Sequence, residues 1–261
     1  ILYRQIFNYL PPSNVVSASF IRTNYVNSTV SHVTGRNVRV YFPRGYNENT
    51  NRRYPVVYMS DGQNVFQPGG TYGCWNADTT ADAEIKGGRM RESILVGVPC
   101  ADNRQVEYLP HQDTDPDGGG IGRANFYADF LIHNVRPMVD AYRTRNDRAN
   151  TACIGSSSGG LLSMYLGTWT NVFGLVGAMS GVYSTEFCPN YMAWLESTRP
   201  HNARVWMDVG TVGGELNIGG ISLYDDNYDL YWDLTSFGYV PNDDLRFMIG
   251  CGHDHNETAW S

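Results

Sequence analysis

The sequence predicts an α/β fold: a mostly parallel central sheet with helices on both faces and an antiparallel edge at its N-terminal side. Three observations point there. Short, continuously apolar runs recur along the 261 residues, as in strands buried on both faces. Amphipathic stretches lie between them. The opening segment alternates instead, which suits an antiparallel entry.

Taken in order, Val15 to Thr23 alternates, and Val38 to Phe42 alternates and stops at Pro43. Pro55 to Ser60 is an apolar run closed by Asp61-Gly62, and Ser93 to Val98 is another, closed by Pro99. Thr151 to Gly155, Leu175 to Met179, Ala203 to Val209 and Leu245 to Gly250 complete the predicted strands. Helices are predicted over Asn125 to Arg143, where Phe126, Phe130, Val135, Met138 and Val139 share a face, over Gly160 to Trp169, and over Tyr224 to Phe237. No repeat, low-complexity tract or dividing linker interrupts the pattern, so a single domain over 1–261 is expected.

Composition narrows the class. Hydrophobic residues make up 42% and charged residues 17%, which excludes disorder over most of the chain. The net charge is −7 and 18 of the 19 basic residues are Arg, spread without a basic stripe, which argues against a nucleic-acid partner. No apolar run approaches the roughly 20 residues of a membrane span. The chain opens without Met and without a signal-peptide pattern at Ile1 to Leu10, so a secreted or extracellular protein that has lost its leader is expected, with a cytoplasmic one as the alternative. Five cysteines without a CxxC pair argue against a zinc site of ordinary spacing. Cys153 reads as a buried free thiol, and one or two disulfides among the other four are compatible with secretion.

The segment Ile154-Gly-Ser-Ser-Ser-Gly-Gly160 contains G-x-S-x-G centred on Ser157, between an apolar strand and an apolar helix. That context suits a nucleophile elbow, in which flanking glycines let strand and helix pass closely and the sharp turn exposes the hydroxyl. The Ser158 N–H would then face a developing oxyanion. A serine hydroxyl needs a base, and elbow hydrolases place the acid and then the His after the serine. His201 sits in a polar connection, whereas His253 and His255 follow the last predicted strand. Two histidines so close could also grip a metal, but no third ligand stands at metal spacing. For the acid, Glu215 hangs in the loop after Ala203 to Val209. Asp208 lies within that strand and is expected to make structural hydrogen bonds; Asp225 and Asp226 are expected exposed at a helix start. The turn Ser60-Asp-Gly-Gln-Asn64 would supply the second oxyanion donor, the Gln63 N–H.

VRVYFPRGY, YPVVYMSDGQNVF, VEYLP, GSSSGG, VWMDVGT and HNETAW occur in this order. Together they resemble the esterase family of α/β-hydrolases, which includes feruloyl and acetylxylan esterases, esterase D type S-formylglutathione hydrolases, siderophore esterases and mycolyltransferases. The resemblance runs from Arg36 to Trp260. It implies the α/β-hydrolase fold and a cofactor-free serine carboxylesterase, with Ser157 as nucleophile, His255 rather than His253 as base, and Gln63 and Ser158 as oxyanion donors. The family's acid commonly follows its strand directly; here Val212-Gly-Gly intervenes before Glu215, the residue assigned to that role. The relatives imply a carbohydrate-linked ester, feruloyl or acetyl, as substrate, with a siderophore or small ester, or acyl transfer or silent binding, as the alternatives. Tyr72, Trp75, Tyr108, Tyr183 and Trp260 are candidate aromatic walls. Asp113-Thr-Asp115-Pro-Asp117-Gly118 matches the opening of a calcium loop, but its twelfth position is Ala124, where Glu is required. The choice there is between a bound calcium and an acidic surface loop.

Overall fold

The computed structural model describes residues 17–260 apart from Tyr72 and Asp102. Tyr72 and the start of the Val15 to Thr23 alternation therefore lie outside the described residues. The strands are β1 (Phe20–Val26), β2 (Arg36–Phe42), β3 (Val56–Met59), β4 (Ile94–Gly97), β5 (Thr114–Asp115), β6 (Gly120–Ile121), β7 (Thr151–Ser156), β8 (Leu175–Met179), β9 (Arg204–Gly210) and β10 (Leu245–Gly250). Eight of them form one sheet in the order β1-β2-β4-β3-β7-β8-β9-β10. The β1–β2 and β2–β4 pairs are antiparallel and all the others parallel, as the alternating entry and the continuous apolar runs predict. β5 and β6 form a separate two-residue hairpin.

Each central strand buries both faces. In β3, Val56 and Tyr58 join the larger core while Val57 and Met59 meet the smaller one, because successive side chains alternate across the pleat. The larger core takes Leu161, Met164 and Tyr165 from the helix Ser158–Trp169, Tyr127 and Phe130 from Ala124–Phe130, and Leu230 and Leu234 from Leu223–Ser236. The smaller core packs Phe66, Trp75 and Ala81 of the helix Ala77–Lys86 against Tyr41 and Leu95. At about 25 cal/mol per Å² of apolar area removed from water, each fully buried Phe or Leu contributes roughly 2 kcal/mol.

The helix expected over Asn125 to Arg143 is broken. It runs Ala124–Phe130, passes through a π-turn at Leu131–Val135 and resumes as Arg136–Asp140. Pro137 explains the break: it has no N–H to donate, and its ring would collide with the carbonyl of His133 in a regular helix. The structure adds two helices beyond the expected ones, Ala77–Lys86, whose polar composition hides the apolar stripe, and Pro189–Thr198. All five cysteines are free thiols, with no disulfide among them, and burial pushes the Cys153 thiol up.

Candidate active site

The carboxyl edge of the parallel strands gathers the sequence-predicted residues in a ladder. Ser60 N–H, just past β3, bonds Ile154 O; Ser157 N–H, just past β7, bonds Met179 O; Ser180 N–H, just past β8, bonds Asp208 O; Thr211 N–H, just past β9, bonds His253 O. Each strand thus hands its terminal loop to the next, as loops beyond parallel strands do in open α/β sheets.

Ser157 ends β7 at φ 59°, ψ −127°, and caps the helix Ser158–Trp169. A non-glycine residue with positive φ is strained, and here the strain buys the exposure of the hydroxyl at a strand-to-helix elbow. The flanking glycine is required sterically: a Cβ on Gly155 would sit 2.1 Å from Ser60 Oγ and 2.4 Å from Gly159 O. Ser158 is buried and turns its own hydroxyl to Gln105 Oε1 at 2.5 Å, while its N–H lies in the first helical turn, where no intrahelical acceptor exists.

On the other side of β7, Asp61 adopts φ 53°, ψ 43° ahead of the short helix Gly62–Val65. The tight turn follows from the approach of β4, since a Cβ on Gly62 would lie 2.3 Å from the Gly97 carbonyl carbon. Gln63 occupies the first turn of that helix, and its side chain is tied back to Cys100 N and Asp61 Oδ1, each at 3.3 Å. Asp61 is braced by Arg104 through two bonds of 2.8 Å, and Arg104 also donates to Ser156 O at 3.2 Å. This one guanidinium joins the Gln63 turn to the residue preceding Ser157. Sequence reasoning missed it, because only the fold brings Arg104 to both.

Glu215 is fully buried in a 3₁₀ turn at Gly213–Glu215, and His255 follows β10. Glu215 Oε1 lies 3.4 Å from His255 Nδ1. That is contact distance for an ion pair but long for a hydrogen bond, and Nδ1 makes none of ordinary geometry. Asp254 Oδ1 accepts both Gly214 N–H at 2.8 Å and His255 N–H at 2.7 Å, and so clamps the acid's turn to the histidine's loop. The inserted Gly213-Gly214 is what permits this: Gly213 has φ 59°, and a Cβ there would strike Asp254. Trp260 packs edge-on to the His255 ring at 4.9 Å. Glu257 Oε1 accepts from Asn64 Nδ2 at 3.2 Å and connects the His255 segment to the Gln63 helix.

The other carboxylates stay off the imidazole. Asp208 is not the paired structural residue expected from the sequence. Burial and the nearby Glu215 charge push its carboxyl up to about 7, while the Ser180 backbone N–H pulls the other way. Asp225 is exposed, as expected; Asp226 is half-buried, and burial with the neighbouring Asp229 and Asp225 pushes it up to about 6. His253 is exposed and lends only backbone atoms, and His201 pairs with Asp244 at 2.6 Å.

Three of the predicted aromatic walls are corrected. Tyr108 and Tyr183 are fully buried; Tyr108 Oη accepts the Asp61 N–H at 3.0 Å and Tyr183 Oη donates to Gly160 O at 3.3 Å. They hold the two turns from beneath, and neither offers a face to substrate. Trp75 is likewise buried, in the smaller core with Phe66 and Leu95, and packs on the half-buried Trp260 with ring centroids 6.1 Å apart, so Trp260 remains. The calcium alternative gains no support. Asp113 is spent on the N–H groups of Asn190 and Tyr191 at the start of the helix Pro189–Thr198, and Asp115 on those of Asp117 and Gly119 within its own turn. Among the described residues no group of three or more His, Cys, Asp or Glu is placed to hold a metal ion.

The family described as "Putative esterase" matches residues 31–220. The chain belongs to this esterase family. It is accordingly a carboxylesterase-type hydrolase of the α/β-hydrolase fold. Solved structures similar to it include an IroE-like serine hydrolase from Shewanella oneidensis, with a TM-score of 0.73 and 21% identity over 92% of this chain and 77% of that one. The ferulic acid esterase of the anaerobic fungus Anaeromyces mucronatus gives 0.63 and 21% over 97% and 90%. The enterobactin esterase of Shigella flexneri gives 0.69 and 16% over 97% of this chain, which spans 60% of that protein.

Proposed function

We propose that this esterase hydrolyses carboxylic esters through an acyl-enzyme, with Ser157 as nucleophile, His255 as general base and acid, and Glu215 as the carboxylate that orients the imidazole. Ser157 Oγ attacks the ester carbonyl carbon as His255 Nε2 takes its proton. The oxyanion is held by the Gln63 and Ser158 N–H groups, both in first helical turns at the same edge. His255 returns the proton to the departing alcohol, leaving acyl-Ser157. A water then attacks that carbonyl with His255 again as base, releasing the acid and restoring the serine.

The observation that carries this reading is the buried Glu215–His255 contact on the sheet edge where Ser157 holds its elbow conformation. For the substrate, a feruloyl or acetyl ester of a plant polysaccharide is the reading we favour. The half-buried Trp260 indole beside the His255 ring supports it, because an indole suits a planar phenolic acyl group. The ferulic acid esterases among the structural neighbours support it too. The test is a hydrolysis screen of feruloyl, acetyl and short-chain acyl esters, with feruloyl-arabinoxylan fragments and catecholate siderophore esters in parallel. Wild type should turn over a feruloyl or acetyl sugar ester, and Ser157→Ala should be inactive with an unchanged thermal midpoint. Preference for the siderophore ester would overturn the carbohydrate assignment, and an active Ser157→Ala would overturn the nucleophile.

A further inference from the structure

Ser180 ends β8 fully buried with φ 45°. A glycine would hold that backbone without the penalty of a Cβ, so the serine side chain needs another explanation. Its hydroxyl supplies one. Ser180 Oγ lies 3.1 Å from Trp260 Nε1 and 2.6 Å from Glu215 Oε1. The direction of this chain is fixed by chemistry, because an indole N–H can only donate and a hydroxyl has one proton. Trp260 donates to Ser180, so the Ser180 proton points at Glu215. The oxygen that receives it is the same Oε1 that faces His255 Nδ1, whereas the buried Oε2 has no hydrogen-bond partner. Trp260 also packs edge-on to the His255 ring, so a single indole touches both the imidazole and the hydroxyl that bonds Glu215.

We propose that Ser180 is a positioning residue: its hydroxyl, oriented by the Trp260 indole, aims Glu215 Oε1 at His255 Nδ1. The inference rests on the Ser157–His255–Glu215 reading above. Without the relay, both Glu215 oxygens are left in a buried site without the hydroxyl donor, and the carboxylate is free to swing away from the imidazole. Imidazolium then loses its counter-charge. The other titratable groups facing this site are Asp208 on β9, His253 and Asp254 after β10, and Glu257 on the terminal turn. All of them stay in place when the hydroxyl is removed.

The test uses Ser180→Gly, which relieves the positive φ while removing only the hydroxymethyl group, with Ser180→Ala as its companion. Initial rates on a p-nitrophenyl ester are measured from pH 5 to 9, with thermal unfolding alongside. Ser180→Gly should lower kcat about 10- to 100-fold with KM nearly unchanged, as expected for a lost hydrogen bond to a charged group. The acid limb of kcat/KM should move to lower pH, because an imidazole without its carboxylate binds its proton less well. Trp260→Phe should move both in the same direction by less. In a Glu215→Gln background, Ser180→Gly should add nothing. Wild-type kcat with an unmoved acid limb in Ser180→Gly, while Glu215→Gln is impaired, would overturn the relay and leave the triad intact. Wild-type activity in Glu215→Gln would overturn the triad reading itself. Fully additive losses in the double variant would also refute the relay.

Discussion

Replacing Asp208 with Asn should stabilise this protein at pH 8. The carboxyl stands on β9, largely out of water and close to the Glu215 charge, and is pushed from its ordinary 3.8 up to about 7. A raised carboxyl prefers to stay protonated in the folded chain. Its contribution to stability is therefore fully present below the unfolded value near 4 and is lost as the pH rises through the folded value near 7. At about 1.4 kcal/mol for each tenfold change in proton affinity, the displacement amounts to roughly 4 kcal/mol at pH 8. Asn keeps an oxygen for the Ser180 N–H but cannot ionise, so Asp208→Asn should recover about 2 to 4 kcal/mol at pH 8 and almost nothing at pH 4. Urea unfolding of both proteins at pH 4, 6 and 8 gives the comparison directly, since other titrating groups cancel in the difference. An Asn variant less stable than wild type at pH 8, or a difference that does not change with pH, would refute the reasoning and restore Asp208 as a paired structural carboxylate.

Two further perturbations probe the site's frame. His255→Ala should reduce kcat by about four to six orders of magnitude, as expected when a serine loses its base, whereas exposed His253→Ala should cost less than about tenfold; equal losses measured on one ester would undo the choice between them. Arg104→Ala leaves Asp61 buried without its partner and should cost about 3 kcal/mol, near the lower end for a broken buried pair because the guanidinium is 30% exposed. It should also lower kcat by loosening the Gln63 turn, and an unchanged urea midpoint would count against that bracing role.

Much of the architecture was legible in the sequence. Continuous apolar runs and the Gly155-x-Ser157-x-Gly159 elbow are local patterns, each enforced by the pleat or by steric contact within a few residues. That Glu215 rather than Asp208 lies beside His255 was readable for a similar reason, because a Gly-Gly turn beyond a strand can fold back where a strand residue cannot. What the sequence could not disclose is how far each side chain reaches once the strands are ordered β3-β7-β8-β9-β10. Tyr108 and Tyr183 looked like binding-site aromatics but lie beneath the two turns, since exposure depends on which elements cover a residue and not on its type. Asp113 and Asp115 looked like metal ligands, and the fold supplies them with backbone N–H donors instead. Arg104, Ser180 and Asp254 carry no motif at all. Their roles arise from contacts between segments 43, 35 and 40 residues apart in the chain, which only the tertiary structure brings within hydrogen-bonding distance.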